Sequence, residues 1–521
     1  MTTEMNPIAA PSTLRYEPDA GLPVAIEAKS NRRTFFPTNG QIFSKSGANI
    51  IKLTLNSQSF VDFSHSYLQF KFTNAATNAT CGLDQGVPFF NRMQIMSGGK
   101  ELEDIQEYGR LYAMLNTIQG SSINNDEHSL THHTQFGATT AAAANVTATA
   151  VTQADLGTNA EIATDAGAND GASGASLVAV KTAVDNALEA MRVKVNTQVN
   201  NSINAQINNG AFKYNAVDQV AANGGSVVYN VPLISAIFNI DKYFPLLLTD
   251  QGLDIYLHLD NTLNVGVFSA APDADYTISD VKYVAHEVNL DDSFVNQMRA
   301  SMAATNGVLS LSSTTYRYNL VSDGQSTCDA TRDLNIAVRT KSLKGLIVKP
   351  MPDSFNNNRS VYSLSPGLDC GITSLQFRVG SVLYPQSAIN YTAENKGELF
   401  NEVRKCFGTL GAYNYGTRMN AATLPSLSAA NQIAAFNVAD GTGFAPKAGT
   451  TQKNFIAAYD FETFAKSATE SGLNTSDRAL PVTMSVGRTL AGTGGGIRYD
   501  TYAMCDCIIY ISQNGEIFTR I

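Results

Sequence analysis

Short segments in which apolar and polar residues alternate are the dominant pattern along this chain. The clearest is 253–259, where apolar residues are separated by Asp254, Tyr256 and His258. Successive side chains of a strand point to opposite faces, so each such segment predicts a strand with one face on a core. The pattern also predicts strands at 51–55, 68–72, from 226, 314–321, 334–338, 343–348, 375–379, 482–486 and 505–511, and a strand pair within 276–290.

Helical spacing of apolar residues occurs in fewer places. It predicts short helices at 102–115 and 394–408, and a helical turn within 291–304. A much longer helix is predicted at 176–208, where spacings of three and four residues give a narrow apolar stripe about 50 Å long. Such a stripe suits either a helix that lies on its own domain or a helix that meets its symmetry mates in an oligomer.

Two stretches show neither strand nor helix periodicity at their start. Residues 1–40 carry four prolines before position 30 and end near Lys29, Arg32 and Arg33. They predict an extended N-terminal arm, either solvated or docked under neighbouring subunits. Residues 136–210 begin with low-complexity sequence rich in Ala, Thr, Gly and Asn, which is typical of a surface insertion. The long predicted helix would then lie within that insertion.

The layout of the chain indicates two units. Strands, a small helix, a long excursion and further strands follow one another twice, over about 250 residues each time. This order predicts two consecutive all-β units of sandwich type, each large enough for its own core. We therefore expect a first unit at 41–300, with the insertion 136–210, and a second unit at 301–521.

Composition and charge narrow the classes of function. The 521-residue chain is 44% apolar and only 16% charged, which suits an all-β protein that buries much of its flank against neighbours. Its net charge of −9, without a basic stripe, argues against sequence-specific nucleic-acid binding. The N-terminus lacks the features of a signal peptide. The sequence contains no run of 18 apolar residues, the length needed to span a membrane. We expect synthesis and folding in a reducing cell interior.

Candidate chemistry is sparse, and we expect neither a cofactor nor catalysis. The six cysteines are scattered, which favours reduced, buried thiols over a disulfide framework. Cys505 and Cys507 share one face of a predicted strand, but two further metal ligands are missing, so we expect core packing. The glycine-rich segment 492–496 lacks the Lys-Ser/Thr of a phosphate-binding loop. One histidine group also lacks an acidic or cysteine partner at ligand spacing: His128, His132 and His133.

Four groups of short motifs cover nearly the whole chain outside the arm and the insertion. They are SYLQF at 66–70 with FNRM at 90–93 and LEDI at 102–105, YFPL at 243–246 running into 253–259, GSVLYP at 380–385 before the helix near Glu398, and SGLNT at 471–475 with Asp506 and Asn514-Gly515. In order and spacing they resemble the double jelly-roll major capsid proteins of icosahedral double-stranded DNA viruses. The likeness is greatest to those of polinton-like viruses and virophages.

The resemblance implies an all-β fold of two consecutive eight-stranded jelly rolls, with short helices and a loop insertion that contains the long helix. It also implies a homotrimeric, pseudo-hexagonal capsomer in the shell of a virion. Neighbouring capsomers, penton proteins and minor capsid or cement proteins would be its partners, and an internal membrane is left open. If three long helices meet on the threefold axis, their contacts would be Leu177, Val180, Val184, Leu188, Met191 and Val195.

Two other functions fit a β-sandwich. A spike or penton component that binds a receptor or glycan would need an aromatic platform or calcium-binding acids, for which Tyr413 and Tyr415 are a modest candidate. A sandwich enzyme such as a glycosidase would need converging carboxylates or histidines, which the sequence does not suggest. We therefore expect a structural shell protein rather than an enzyme.

Overall fold

The structure is a computed structural model of the chain. It describes a large part of the sequence, and every structural statement below refers to that part. The described residues are 28–78, 81–83, 87, 89–119, 134–136, 186, 215–217, 219–220, 223–261, 266–268, 275–304, 307–324, 331–353, 356–357, 369–392, 394–408, 410, 417, 419, 424, 455–464, 471–477, 480–488 and 496–521.

Strands make up most of the first half. A short 3₁₀ helix, Leu246–Leu248, follows strand β12. The other elements are β1 Ala28–Phe35, β2 Ile42–Phe43, β3 Ile50–Leu55, β4 Phe60–Asn74, β5 Cys81–Leu83, β6 Phe90–Ser97, β7 Lys100–Gln106, α1 Tyr108–Gln119, β8 Thr134–Phe136, β9 Asn215–Val217, β10 Gln219–Val220, β11 Ser226–Val231, β12 Phe244–Pro245, β13 Leu253–Leu259, β14 Gly266–Phe268 and β15 Tyr276–Leu290.

The second half repeats this style after a connecting helix, α2, at Asp292–Ala304. Its elements are β16 Val308–Asp323, β17 Arg332–Ile336, β18 Leu343–Pro352, β19 Ile372–Val379, β20 Val382–Asn390, α3 Gly397–Lys405, β21 Ala457–Asp460, β22 Val482–Arg488, β23 Ile497–Ser512 and β24 Ile517–Arg520. The boundary predicted at 300/301 falls inside α2 and stays a prediction.

The two halves have the same strand connectivity. In the first, antiparallel sheets run β1-β15-β4-β11 and β3-β13-β6-β7; in the second, they run β16-β23-β18-β21 and β17-β22-β19-β20. When only the eight strands of these two sheets are counted in each half, both orders are first-eighth-third-sixth and second-seventh-fourth-fifth. That is the arrangement of a jelly roll, in which eight strands form two facing sheets. The predicted double jelly roll is confirmed, and we call the halves jelly roll 1 and jelly roll 2.

Alternation places the core between the two sheets of each jelly roll. In β13 every second residue is buried, and its bounds match the predicted segment. In jelly roll 1 the ring of Phe70 stacks on Tyr229 at 5.1 Å and meets Phe89 edge-on at 5.4 Å. In jelly roll 2 Phe377 meets Phe461 edge-on at 5.7 Å. Buried aromatic pairs of this geometry stabilise a core beyond the area they bury.

The helix predicted at 102–115 is wrong over its first part. Residues 100–106 form strand β7, which pairs with β6, and helix α1 begins only at Tyr108. The cause is an irregularity in the register between Ile95 and Met96, where β7 holds one residue more than its partner. A β-bulge of this kind breaks the two-residue period, so Leu102, Ile105 and Tyr108 come to be spaced as on a helix.

Three further expectations need correction. Within the predicted arm 1–40, Ala28–Phe35 is strand β1, paired with β15; backbone hydrogen bonds at an edge hold it, so its sequence shows no apolar alternation. The predicted strand pair within 276–290 is the single strand β15, bulged near Asp280. The predicted last strand extends over Ile497–Ser512, and β24 follows it after the Asn514-Gly515 turn.

The insertion leaves and re-enters the fold at one place. Strand β8 pairs with β9, with Phe136 opposite Asn215, so the two ends of the excursion lie side by side. Between them only Asn186, which is helical, belongs to the described residues. Because the two ends of this segment are held together by strand pairing, residues can be added between them without disturbing the sheets of the fold.

Candidate functional site between the two jelly rolls

Helix α1 lies between the two jelly rolls. Ten of its twelve residues are buried, which is the burial of a helix covered on all sides. One face packs on jelly roll 1, and the other reaches residues of jelly roll 2. The helix therefore positions polar side chains at the contact between the halves.

Arg110 of α1 is the centre of a buried ionic network. Its Nε donates to Glu107 at 2.7 Å, its Nη2 to the side-chain oxygen of Asn356 at 2.7 Å, and its Nη1 lies 3.4 Å from Oδ2 of Asp500. Arg110 is only 1% exposed and Asp500 is fully buried. Removing one partner of such a buried ion pair strongly destabilises the folded protein, because the other charge is then left buried without compensation. The network thus ties α1 to strand β23 of the other jelly roll.

Two residues of its own jelly roll also donate hydrogen bonds to Asp500. Arg498 donates to its Oδ1 at 2.7 Å, and the hydroxyl of Tyr318 donates to the same atom at 2.7 Å. Burial alone would raise the pKa of Asp500, but the positive charges of Arg110 and Arg498 outweigh burial and hold that pKa below its ordinary value. Burial would lower the pKa of Arg110, and Asp500 with Glu107 raises it instead. Both partners stay charged.

Glu103 of β7 is a second buried link. Its carboxylate accepts a hydrogen bond from the hydroxyl of Thr315 on β16 and from the backbone N–H of Ala236 at 3.0 Å. Burial raises its pKa from the ordinary 4.5 to about 7, although these hydrogen bonds favour the charged form. Glu103 lines a cleft that also contains Arg317, so protons can reach it from solvent. Its protonation therefore changes near neutral pH.

Hydrogen bonds to the backbone close the edge of jelly roll 1. The hydroxyl of Thr519 on β24 donates to the carbonyl of Leu102 at 2.7 Å, and that of Tyr502 on β23 donates to the carbonyl of Glu107 at 2.7 Å. Strand β7 is the last strand of its sheet. An edge covered in this way cannot add a strand from another chain.

The predicted polar corner at 471–475 also contacts buried charges. Leu473 and Leu343 exchange backbone hydrogen bonds of 2.8 and 2.9 Å. Next to them Lys344 lies 3.0 Å from Glu462 and 3.5 Å from Asp506. Within jelly roll 2 the corner therefore fastens the loop after β21 to the start of β18.

None of the candidate site residues predicted from the sequence belongs to the buried network between the two jelly rolls. The buried thiols of Cys505 and Cys507 have pKa values raised by burial, to about 11 and about 12, which fits core packing. Among the described residues no group of three His, Cys, Asp or Glu could hold a metal ion. Several predicted residues lie outside the described part: Leu177, Val180, Val184, Leu188, Met191, Val195, His128, His132, His133, Tyr413 and Tyr415.

The sequence does not single out Arg110 or Asp500, and it predicts Glu103 at the start of a helix, whereas Glu103 is buried in strand β7. The signal that could have found Arg110 is its place directly before the apolar run Leu111–Leu115, whereas Asp500 lies in a mixed polar and apolar segment and has no such signal. Charged residues are rarely buried without a partner. Their partners are distant in sequence and meet only through the fold.

Solved structures of viral proteins are similar to this chain in fold. No family model matches the chain, and no curated protein is similar to it. The 3.5 Å cryo-EM structure of the Sputnik virophage is similar over 99% of this chain and 93% of that one, at 10% identity and a TM-score of 0.52. PBCV-1 VP54, fitted into a reconstruction of the virophage Sputnik, covers 95% of this chain and 97% of its own, at 9% identity and a TM-score of 0.51.

The major capsid protein of Faustovirus also matches, over 97% of this chain and 92% of its own, at 9% identity and a TM-score of 0.49. At these identities the likeness concerns the fold. The two matches with TM-scores above 0.5 support the double jelly-roll fold that the strand order shows. In the described part, no helix is long and apolar enough to cross a membrane.

Proposed function

We propose that this chain is a major capsid protein, and that three copies form a pseudo-hexagonal capsomer of an icosahedral shell. The observation that carries the proposal is the pair of jelly rolls with identical strand order, fastened within one chain by a buried network. Two similar units per chain give six per trimer, which fills a hexagonal outline. The fold likeness to a virophage structure supports this role.

The proposed role is structural rather than catalytic. The polar residues brought together at the interface are paired with one another across the two jelly rolls, as Arg110 is with Asp500. They are thus placed to hold the halves together and not to meet a substrate. The protein would act in the virion after synthesis in the interior of an infected cell. Its partners would be neighbouring capsomers, penton proteins and minor capsid or cement proteins.

Assembly of the purified protein tests the proposal. We expect light scattering to give three times the 55.7 kDa mass of the chain, and electron microscopy to show pseudo-hexagonal plates or shells. A protein that stays monomeric at high concentration would contradict a capsomer role.

The apolar stripe of the long predicted helix gives a second prediction. Replacing Val184, Leu188 and Met191 by Asp is expected to weaken the trimer, because three stripes meeting on an axis would then bring nine carboxylates together. Light scattering over a dilution series measures the change. The matched control puts three aspartates on the opposite side of the same predicted helix, at Thr182, Asn186 and Thr197. An unchanged trimer mass in the stripe variant would rule out the axial helix.

A further inference from the structure

Helix α2, which connects the two jelly rolls, is little covered by either of them. Among its described side chains only Met302 is buried, while Val295 and Met298 are half-buried and Phe294 is 38% exposed. The helix has 13 residues, and a helix of that length is marginal in water unless an apolar face of it is packed. Helix α2 therefore needs more packing than the described residues give it.

A groove separates one face of α2 from jelly roll 1. Its volume is about 640 Å³, which is within the range of pockets that hold a ligand. Residues 58–60, Leu247 and 289–290 form the wall on jelly roll 1. The residues that α2 contributes have the spacing of a single helical face: Asp292, Val295, Asn296 and Arg299.

The groove combines an apolar part with a polar part. The apolar part is shielded from solvent, since Phe60 is buried and Leu247, Leu290 and Val295 are half-buried. The polar part is exposed and consists of Gln58, Asn289, Asp292, Asn296 and Arg299. A groove of this kind suits an extended segment that has apolar side chains on one face and polar groups on the other.

The chain reaches this groove at the start of β1. Ala28 is the partner of Leu290 in the ladder between β1 and β15, and Leu290 lines the groove. Because consecutive Cα atoms are only about 3.8 Å apart, the chain before Ala28 starts beside the groove. The sequence has 27 residues before Ala28, and about six extended residues match the length of α2, about 20 Å.

The segment directly before Ala28 has the sequence that such a groove can hold. Leu22, Val24 and Ile26 alternate with Pro23 and Ala25. In an extended segment these three side chains therefore lie on one face. Pro23 keeps the residue before it extended and has no N–H that would need a partner. Position, length and pattern thus agree on one occupant.

We infer that residues 22–26 lie in the groove between α2 and jelly roll 1 of the same chain, with Val24 and Ile26 toward Val295 and Leu247. The segment supplies the packing that α2 lacks, and so stabilises the helix that connects the two jelly rolls. The end of the predicted N-terminal arm is then fixed on its own chain, rather than solvated or docked under neighbouring subunits. This inference does not depend on the proposed capsomer, because the groove and its occupant belong to one chain.

Hydrogen exchange of the full-length protein tests whether the segment covers α2. Val24→Asp with Ile26→Asp puts two carboxylates where the apolar face would be buried, so the segment should leave the groove. We expect the backbone amides of α2 to exchange about tenfold faster or more, measured peptide by peptide by mass spectrometry. Ile8→Asp with Leu14→Asp makes the same change earlier in the sequence and should leave α2 as in the wild type. Equal exchange of α2 in the wild type and the Val24/Ile26 variant would overturn the inference.

A cysteine pair tests whether the groove and the segment belong to one chain. Val24→Cys or Ile26→Cys, each combined with Val295→Cys, should form a disulfide on mild oxidation, since only residues that come within about 7 Å of each other can be joined. We expect at least one of the two variants to migrate as a single chain without reductant and to give the linked peptide by mass spectrometry. Val24→Cys with Leu320→Cys, at an exposed position on β16 outside the groove, should form no such link. A link between two chains would place the segment in the groove of another copy, and no link in either variant would leave it outside the groove; both results contradict the inference.

Discussion

Replacing Arg110 by methionine is expected to lower the free energy of unfolding by about 3–5 kcal/mol. The substitution removes the cation that Asp500 and Glu107 face inside the protein. Asp500 is fully buried and keeps its other donors, Arg498 and Tyr318, but its charge is then compensated less. Methionine fills much of the same volume, so the loss measures the ionic network more than a cavity. Urea unfolding of the wild type and the variant at one pH measures it.

Two further variants show whether the buried charge is the cause. Arg378→Met removes an exposed partner that lies 3.9 Å from Asp333, and should cost about 1 kcal/mol or less. Arg110→Met combined with Asp500→Asn completes a double-mutant cycle, and because the two charges face each other we expect the double variant to lose less stability than the sum of the two single losses. If Arg110→Met and Arg378→Met lose the same small amount, the network does not hold the jelly rolls together.

The strands that the sequence predicts well are those with one face on a core. Segment 253–259 alternates without interruption and is strand β13 with the same bounds. Burial on one face selects apolar residues at every second position, so the strand can be predicted from the sequence pattern alone. Strand β1 gives no such signal, because six of its eight residues are exposed and its partner β15 holds it through the backbone.

The polar network between the jelly rolls could not be predicted in the same way. Arg110 and Asp500 are 390 positions apart, and only the packing of α1 against β23 brings them together. The helix position itself was obscured, because the bulge in β7 gives Leu102 and Ile105 a helical spacing. Local pattern thus predicted the fold class, and the contact between the halves depends on tertiary structure that no local pattern encodes.

The stability of the wild type is expected to fall as pH rises from about 4.5 to about 7, through the titration of Glu103. Its pKa in the folded protein is about 7, above the ordinary 4.5, so the folded state binds the proton more tightly than the unfolded state does. That stability is complete below 4.5 and is lost as pH passes 7, a difference on the order of 3 kcal/mol.

Glu103→Gln isolates this titration, because glutamine resembles the protonated side chain at every pH. Subtracting the urea-unfolding profile of the variant from that of the wild type cancels the other groups. We expect the difference to fall between about pH 4.5 and about 7 by roughly the 3 kcal/mol of the pKa shift. Glu101→Gln, which removes a carboxylate at an exposed site on the same strand, is the matched control. Parallel profiles for the wild type and Glu103→Gln would mean that Glu103 does not change its protonation in the folded protein over this range, and the link to Thr315 would then be insensitive to pH.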